Sequence, residues 1–185
     1  NFIPTKLEGC FVIEPKIFND ERGYFMECYN EKTFQNGVGQ SVQFVQDNQS
    51  MSNIGTIRGL HFQVEPFGEE KLVTCIQGAI FDVILDLRPN SKTVGKWCSF
   101  ELSAKNVLQL YLPKGVAHGF QTLLPDSILH YCLSSTYSPD NSFSISPFGE
   151  LGIDWPIKDF SISERDSNGL SISIGLQKYA DSLQS

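Results

Sequence analysis

Along most of this chain, apolar runs of four to ten residues alternate with clusters of Gly, Pro, Asn and Asp. Strands at that spacing predict an all-β sandwich or barrel. Residues 55 to 89, GTIRGLHFQVEPFGEEKLVTCIQGAIFDVILDLRP, hold three strand-like runs separated by the turn-like EPFGEE and QGA. KWCSFELS, VLQLYLPKG, AHGFQTLL and ILHYCLSSTY continue the pattern. Upstream, CFVIEPKIFNDERGYFMECY reads as two strands, broken at Pro15 and by the turn residues Asn19 to Gly23. EKTFQN predicts a single helical turn ended by Gly37. In SVQFVQDNQSMS, Val42 and Phe44 alternate with Gln43 and Val45 before the run turns polar at Gln46, Asn48 and Ser50. That pattern predicts a strand whose end reaches a wet pocket. Only LSISIGLQKYADSLQS promises a helical end. With no repeat, low-complexity run or linker, the expectation is one jelly roll of two sheets with ligands in the mouth between them.

Within AIFDVILDL, strand alternation puts Phe81, Val83, Leu85 and Leu87 on one wholly apolar face and Ile80, Asp82, Ile84 and Asp86 on the other. Asp86, close to Arg88 and Pro89, reads as a solvated strand residue or a turn partner. Asp82, mid-strand, is open to a pocket role.

Composition narrows the functional classes. A chain of 185 residues, 41% hydrophobic, can bury one real core. Lys and Arg are outnumbered 14 to 21 by Asp and Glu, for a net charge of -7, which argues against nucleic-acid binding. Cys10, Cys28, Cys75, Cys98 and Cys132 stand singly at no metal-ligand spacing and read as buried free thiols. No run is long enough for a membrane span, and the N-terminus has no basic segment leading into an apolar one. A cytoplasmic location is therefore expected. The sequence opens on Asn1 rather than methionine, so an initiator or a few residues are expected ahead of it.

The histidines are His61, His118 and His130. Pro113, Gly115 and His118 show the P-x-G-x-x-H spacing of cupin barrels, but His61 is followed by Phe62 and Gln63 in place of a His-x-His ligand pair. A catalytic metal would lack ligands of the right type, so none is expected. A metal-free histidine can act as a general base when a partner fixes its tautomer. Asp166 is a candidate partner that no spacing rule singles out. Tyr131 and Tyr137, in HYCLSSTY, are candidate acids.

DERGYFME, FVQDNQSMSNIGTIRGLHFQ, EEKLVTCIQGAIFDVILDLRPNSKTVGKW, ELSAKNVLQLYLPKGVAHGF, YCLSSTYSP, LGIDWP and ISERD, in that order over residues 10 to about 168, closely resemble the dTDP-4-dehydrorhamnose 3,5-epimerase family, the RmlC-type epimerases of the cupin superfamily. The resemblance implies a single cupin-type jelly-roll domain with short peripheral helices and a C-terminal tail over 169–185. It also implies a homodimeric, cofactor-free enzyme acting on a nucleotide-linked 4-keto-6-deoxy sugar. It places the base at His61, its partner at Asp166, the acid at Tyr131 and a lysine beside the keto oxygen at Lys71. Asp82, Arg58 and His118 match other pocket or phosphate-side positions, and Tyr137 a substrate contact. Gln46, Asn48, Arg22, Phe25 and Glu27 match the nucleotide-binding set, the last three arriving from the partner subunit.

Arg58 and His61 are three residues apart, and an unbroken strand would point them to opposite faces. A bulge at Gly59 is expected to bring both to the pocket. After Tyr137-Ser138-Pro139 the chain departs from the family pattern, with DNSFSISPFGELGIDWP in place of charged residues and a tryptophan. That loop is expected near the substrate. Two other readings fit the same residues: a single-site 3- or 5-epimerase acting on a CDP- or GDP-linked sugar or heptose, and a non-catalytic sugar-nucleotide-binding cupin.

Overall fold

In the computed structural model, which describes residues 1–184, the chain runs β1 (Phe2–Pro4), β2 (Phe11–Ile13), β3 (Ile17–Asp20), β4 (Gly23–Met26), α1 (Glu31–Val38), β5 (Gln46–Ser52), β6 (Thr56–Gln63), β7 (Lys71–Gln77), β8 (Ala79–Asp86), β9 (Trp97–Ser103), β10 (Gln109–Leu112), β11 (Val116–Thr122), β12 (Ser127–Leu133), β13 (Ser142–Ser144), β14 (Ser161–Ile162), α2 (Glu164–Ser167) and α3 (Ile172–Ser182). Sheet one has the order β1-β2-β10-β7-β12-β5, and sheet two β13-β6-β11-β8-β9, with β14 added beside β6. Every pairing is antiparallel except β14 on β6.

The inner faces of the two sheets meet in one apolar cluster: Val73, Cys75, Leu110 and Leu129 from sheet one pack with Ile80, Ile84, Leu102 and Phe120 from sheet two. Phe81, Val83, Leu85 and Leu87, on the other side of β8, lie under Ile145, Leu151, Trp155 and Tyr179 of the C-terminal third. Sheet two is thus covered on both faces, which explains why β8 is apolar on one side and nearly so on the other. Asp82 and Asp86 are the exceptions, and both are fully buried. Asp86 is a turn partner, not a solvated strand residue. It accepts bonds from Arg88 (Nε 2.8 Å, backbone N 3.0 Å), Ser91 (2.5 Å) and Thr93 (2.6 Å). Burial pushes its carboxyl up, but these donors outweigh burial and hold it below the usual carboxylate range.

Several local expectations are corrected. The first helix runs through Gly37 and stops at Gly39, whose left-handed φ of 79° lets its N–H bond to the Gln35 carbonyl. At its other end the Asn30 side chain accepts from the Thr33 N–H. Ser41–Val45 is not strand. Val42 packs instead with Phe34, Ile13, Leu72 and Tyr111 on the outer face of sheet one, and the alternation there records that packing. Three strands, not two, occupy 10 to 29, because Pro15 separates β2 from β3. β12 ends at Leu133, so Tyr137 sits on a loop. Of residues 140 to 156, the stretch that departs from the family pattern, Ser142 stays at the barrel mouth as expected, whereas Ile145, Leu151 and Trp155 turn away and are buried on the outer face of sheet two. All five cysteines are free, but only Cys10 and Cys75 are buried; Cys98 and Cys132 are half-buried and Cys28 is exposed.

β3 and β4 pair only with each other. This hairpin leaves Phe18, Tyr24 and Phe25 at 50, 60 and 67% exposure, an unusual concentration of apolar surface.

Candidate active site

The expected bulge lies on β6. Residue pairing with β11 passes from His118↔His61 to Phe120↔Arg58, so three steps on β6 match two on β11. Gly59 takes a φ of 92°, and a Cβ there would come within 2.5 Å of the His118 carbonyl oxygen. Only glycine fits, and the irregularity lets both Arg58 and His61 face the interior.

His61, Arg58, Lys71, His118 and Tyr131, with Ser50 and Leu129, line an inner cavity of about 130 Å³. A wider outer chamber of about 410 Å³ shares His61, Lys71 and Tyr131 with it and adds Gln46, Asn48, Gln63, Glu69, Tyr137, Ser142 and Arg165. The two form one pocket with His61 and Tyr131 on facing walls: His61 comes from β6 in sheet two, and Tyr131 from β12 in sheet one. Such positions on rigid strands hold catalytic groups more precisely than loops do.

His61 Nε2 lies 2.7 Å from Asp166 Oδ1. The imidazole is 38% exposed toward the pocket and the carboxylate 5%. Asp166 also accepts the Gly59 N–H at 3.1 Å and the Ser144 hydroxyl at 2.9 Å. Burial alone would raise its carboxyl, but the bonds from His61, Gly59 and Ser144 prevail and hold it at about 2. It therefore stays ionised and keeps the imidazole proton on Nε2, leaving the Nδ1 lone pair free to accept a proton. Asp166 is placed by α2, where the Ser163 side chain caps its backbone N–H at 3.1 Å.

His118 Nε2 contacts Asp82 Oδ2 at 2.7 Å. Asp82 lines neither chamber and is wholly buried behind His118, with Oδ1 lacking a partner among the described residues. Burial raises its carboxyl against the opposing pull of His118 and Lys71. Its contact with this pocket is through the His118 ring. Each pocket histidine thus has Nε2 on a carboxylate, and among the described residues no group of three metal donors meets at this pocket.

Lys71 forms an ion pair with Glu69 at 3.0 Å, the two side chains only 7 and 9% exposed. Gln63 ties the mouth together, donating to Glu69 at 3.0 Å and accepting the Ser138 N–H at 2.7 Å. Gln46 accepts the Tyr137 N–H at 3.0 Å and donates to Asn48 at 3.2 Å. Arg165 adds a cation at the mouth, bonded to Ser142 Oγ at 2.9 Å. The sequence reading missed Glu69, Gln63, Ser142, Ser144 and Arg165. Arg165 sits beside Asp166 in ISERD and could have been found there, whereas Ser144 is recognisable only once β13 pairs with β6.

Arg22, Phe25 and Glu27 line neither chamber. They belong to the β3–β4 hairpin or its exit, where Arg22 pairs with Asp20 at 2.5 Å and is 85% exposed.

The family model described as dTDP-4-dehydrorhamnose 3,5-epimerase matches residues 4–173. A protein of that name from Methanothermobacter thermautotrophicus is 49% identical over 173 residues, 90% of this chain and 91% of its own length. One from Shigella flexneri is 42% identical over 182 residues, 98% and 97% of the two chains. The crystal structure of the RmlC epimerase of Legionella pneumophila in complex with dTDP-4-keto-L-rhamnose superposes with a TM-score of 0.89 at 38% identity, covering 94% of this chain and 93% of that one.

Proposed function

The chain belongs to the dTDP-4-dehydrorhamnose 3,5-epimerase family, and from that premise we propose that it inverts C3, C5 or both in a nucleoside-diphosphate-linked 4-keto-6-deoxy sugar. It is an isomerase. The ketone at C4 acidifies the hydrogens on its neighbours, and removing one leaves an enolate with its charge on the C4 oxygen. His61 Nδ1 takes that proton, and Asp166, 2.7 Å from Nε2, stabilises the imidazolium formed. Lys71, ion-paired with Glu69, and His118 face the enolate oxygen in a narrow inner cavity, where electrostatic stabilisation is strongest. Tyr131 returns a proton to the opposite face. The centre inverts without a redox step.

The observation that carries this reading is the placement of His61 and Tyr131 on different sheets across one pocket. A single acid–base group would exchange protons without inversion. Two groups on facing walls supply both halves of the reaction.

The nucleotide end is proposed to lie at the outer chamber, between Gln46, Asn48 and Arg165 and the Arg22, Phe25 and Glu27 of a second copy of the chain. The support is the exposed hairpin, which carries those three residues yet reaches neither chamber around its own subunit's His61. A homodimer follows.

The decisive experiment incubates the protein in deuterated water with dTDP-, CDP- and GDP-linked 4-keto-6-deoxy sugars and counts label separately at C3 and C5. Label with inverted configuration at one or both carbons is expected. Tight binding of a sugar nucleotide with no label in any of them would leave a binding protein in place of an enzyme.

A further inference from the structure

On the outer face of sheet one, away from the epimerase pocket, one ligand atom from each of Asp47, His130 and Cys132 lies within 4.8 Å of the other two. We propose that these three residues form a zinc site that fastens the edge strand β5 to β12.

The grouping follows from the sheet. Cys132 and Asp47 are directly paired across β12 and β5. His130, two residues before Cys132 on the same strand, projects from the same face. None of the three lines either chamber of the pocket. A thiolate, an imidazole and a carboxylate together suit zinc, while the sulfur and nitrogen disfavour calcium and magnesium. Three protein ligands leave a fourth tetrahedral position for water. Bonds of about 2.0–2.3 Å put neighbouring ligand atoms roughly 3.3–3.8 Å apart, so side-chain rotation alone closes the site.

The surroundings match the chemistry. Cys132 packs against the cluster that includes Phe34 and Tyr111, which excludes water on one side, and Asp47 is open to solvent on the other. Without metal, burial and then the bond to Asp47 push the thiol up to about 12, so it is protonated. Zinc takes the sulfur lone pair as the thiol proton leaves to solvent, and Asp47 turns from hydrogen-bond acceptor to ligand. The opposite face of the same two strands carries Gln46, Asn48 and Tyr131, so the clip steadies the wall they stand on.

The test uses the full chain after exhaustive chelation, titrated with zinc chloride and with cobalt chloride. One equivalent per chain is expected, with a thiolate-to-cobalt charge-transfer band and a rise in Tm on adding zinc. Cys132→Ser should lose the band, and Asp47→Asn should weaken zinc binding by more than about tenfold. If Cys132→Ser fails to fold, Asp47→Asn, an exposed substitution, decides alone. Cobalt bound without a charge-transfer band, no saturable metal, or zinc binding unchanged by Asp47→Asn each overturns the site.

Discussion

Replacing Asp166 by Asn tests the base assignment at its most exposed point. The carboxyl sits at about 2 against an ordinary 3.8, nearly two units, or about 2 kcal/mol of preference for the ionised, hydrogen-bonded state. Three donors share it, and His61 is the one that becomes charged during the reaction. His61's share of that preference is what the imidazolium loses, so proton abstraction should slow by about ten- to thirtyfold. An amide also matches the three donors badly: turned to accept from Gly59, it points its NH2 at both Nε2 and the Ser144 hydroxyl, which favours the unreactive tautomer. That mismatch adds to the loss. Ser144→Ala removes one bond worth about 1 kcal/mol and should cost about fivefold. His61→Asn removes the base itself and should abolish exchange. The assay is the wash-in of solvent deuterium into a nucleotide-linked 4-keto sugar, followed by mass spectrometry. Wild-type exchange in Asp166→Asn, or persistent exchange in His61→Asn at the Asp166→Asn rate, would refute His61 as base and Asp166 as its support.

Tyr131→Phe should keep deuterium exchange with retained configuration while inversion falls about 10²- to 10⁴-fold, as expected for a lost general acid; a parallel decline of both would remove Tyr131 from that role. Sedimentation should give about twice the 20.7 kDa chain mass, and Phe25→Ala should weaken nucleotide binding, whereas a fully active monomer would contradict the shared site. Because the folded pKa of Asp166 lies below its unfolded value, it adds stability above about pH 4 that is lost as pH falls toward 2. Asp166→Asn should flatten the decline of Tm across that window, and an unchanged slope would count against the ionised pair. In Asp47→Asn, which lacks a ligand of the outer-face clip, turnover should be unchanged by chelation, and a loss restored by a divalent metal in that variant would sink the mechanism above.

Most of the fold was legible because covered sheets leave a plain trace. β8 shows it best: in AIFDVILD, Ile80 and Ile84 fall into one core and Phe81, Val83 and Leu85 into the other, as alternation assigns. The signal failed where packing mimicked a strand, as at Val42, and where a short element made sense only beside its neighbour, as with β13 and β14. In the pocket, His61, Lys71 and Tyr131 stand on strong strands and were readable. Asp166 and Ser144 reach His61 from segments 105 and 83 residues downstream, and no local pattern marks such a meeting. The outer-face triad escaped for a similar reason: His130 and Cys132 alone suggest nothing until Asp47 is brought across from β5.

The 105-residue span between His61 and Asp166 also bears on how the enzyme is made. A ribosome adding about 5–20 residues per second needs roughly 5–20 s to travel from one to the other. From the completion of β8 at Asp86 onward the nascent chain holds β6, β7 and β8 but not the Asp166 carboxylate for its histidine. A product that stops between Ser144 and Asp166 has most of both sheets and an unoriented histidine. The contact that orients His61 therefore becomes available only after the strands of both sheets are almost all in place along the chain.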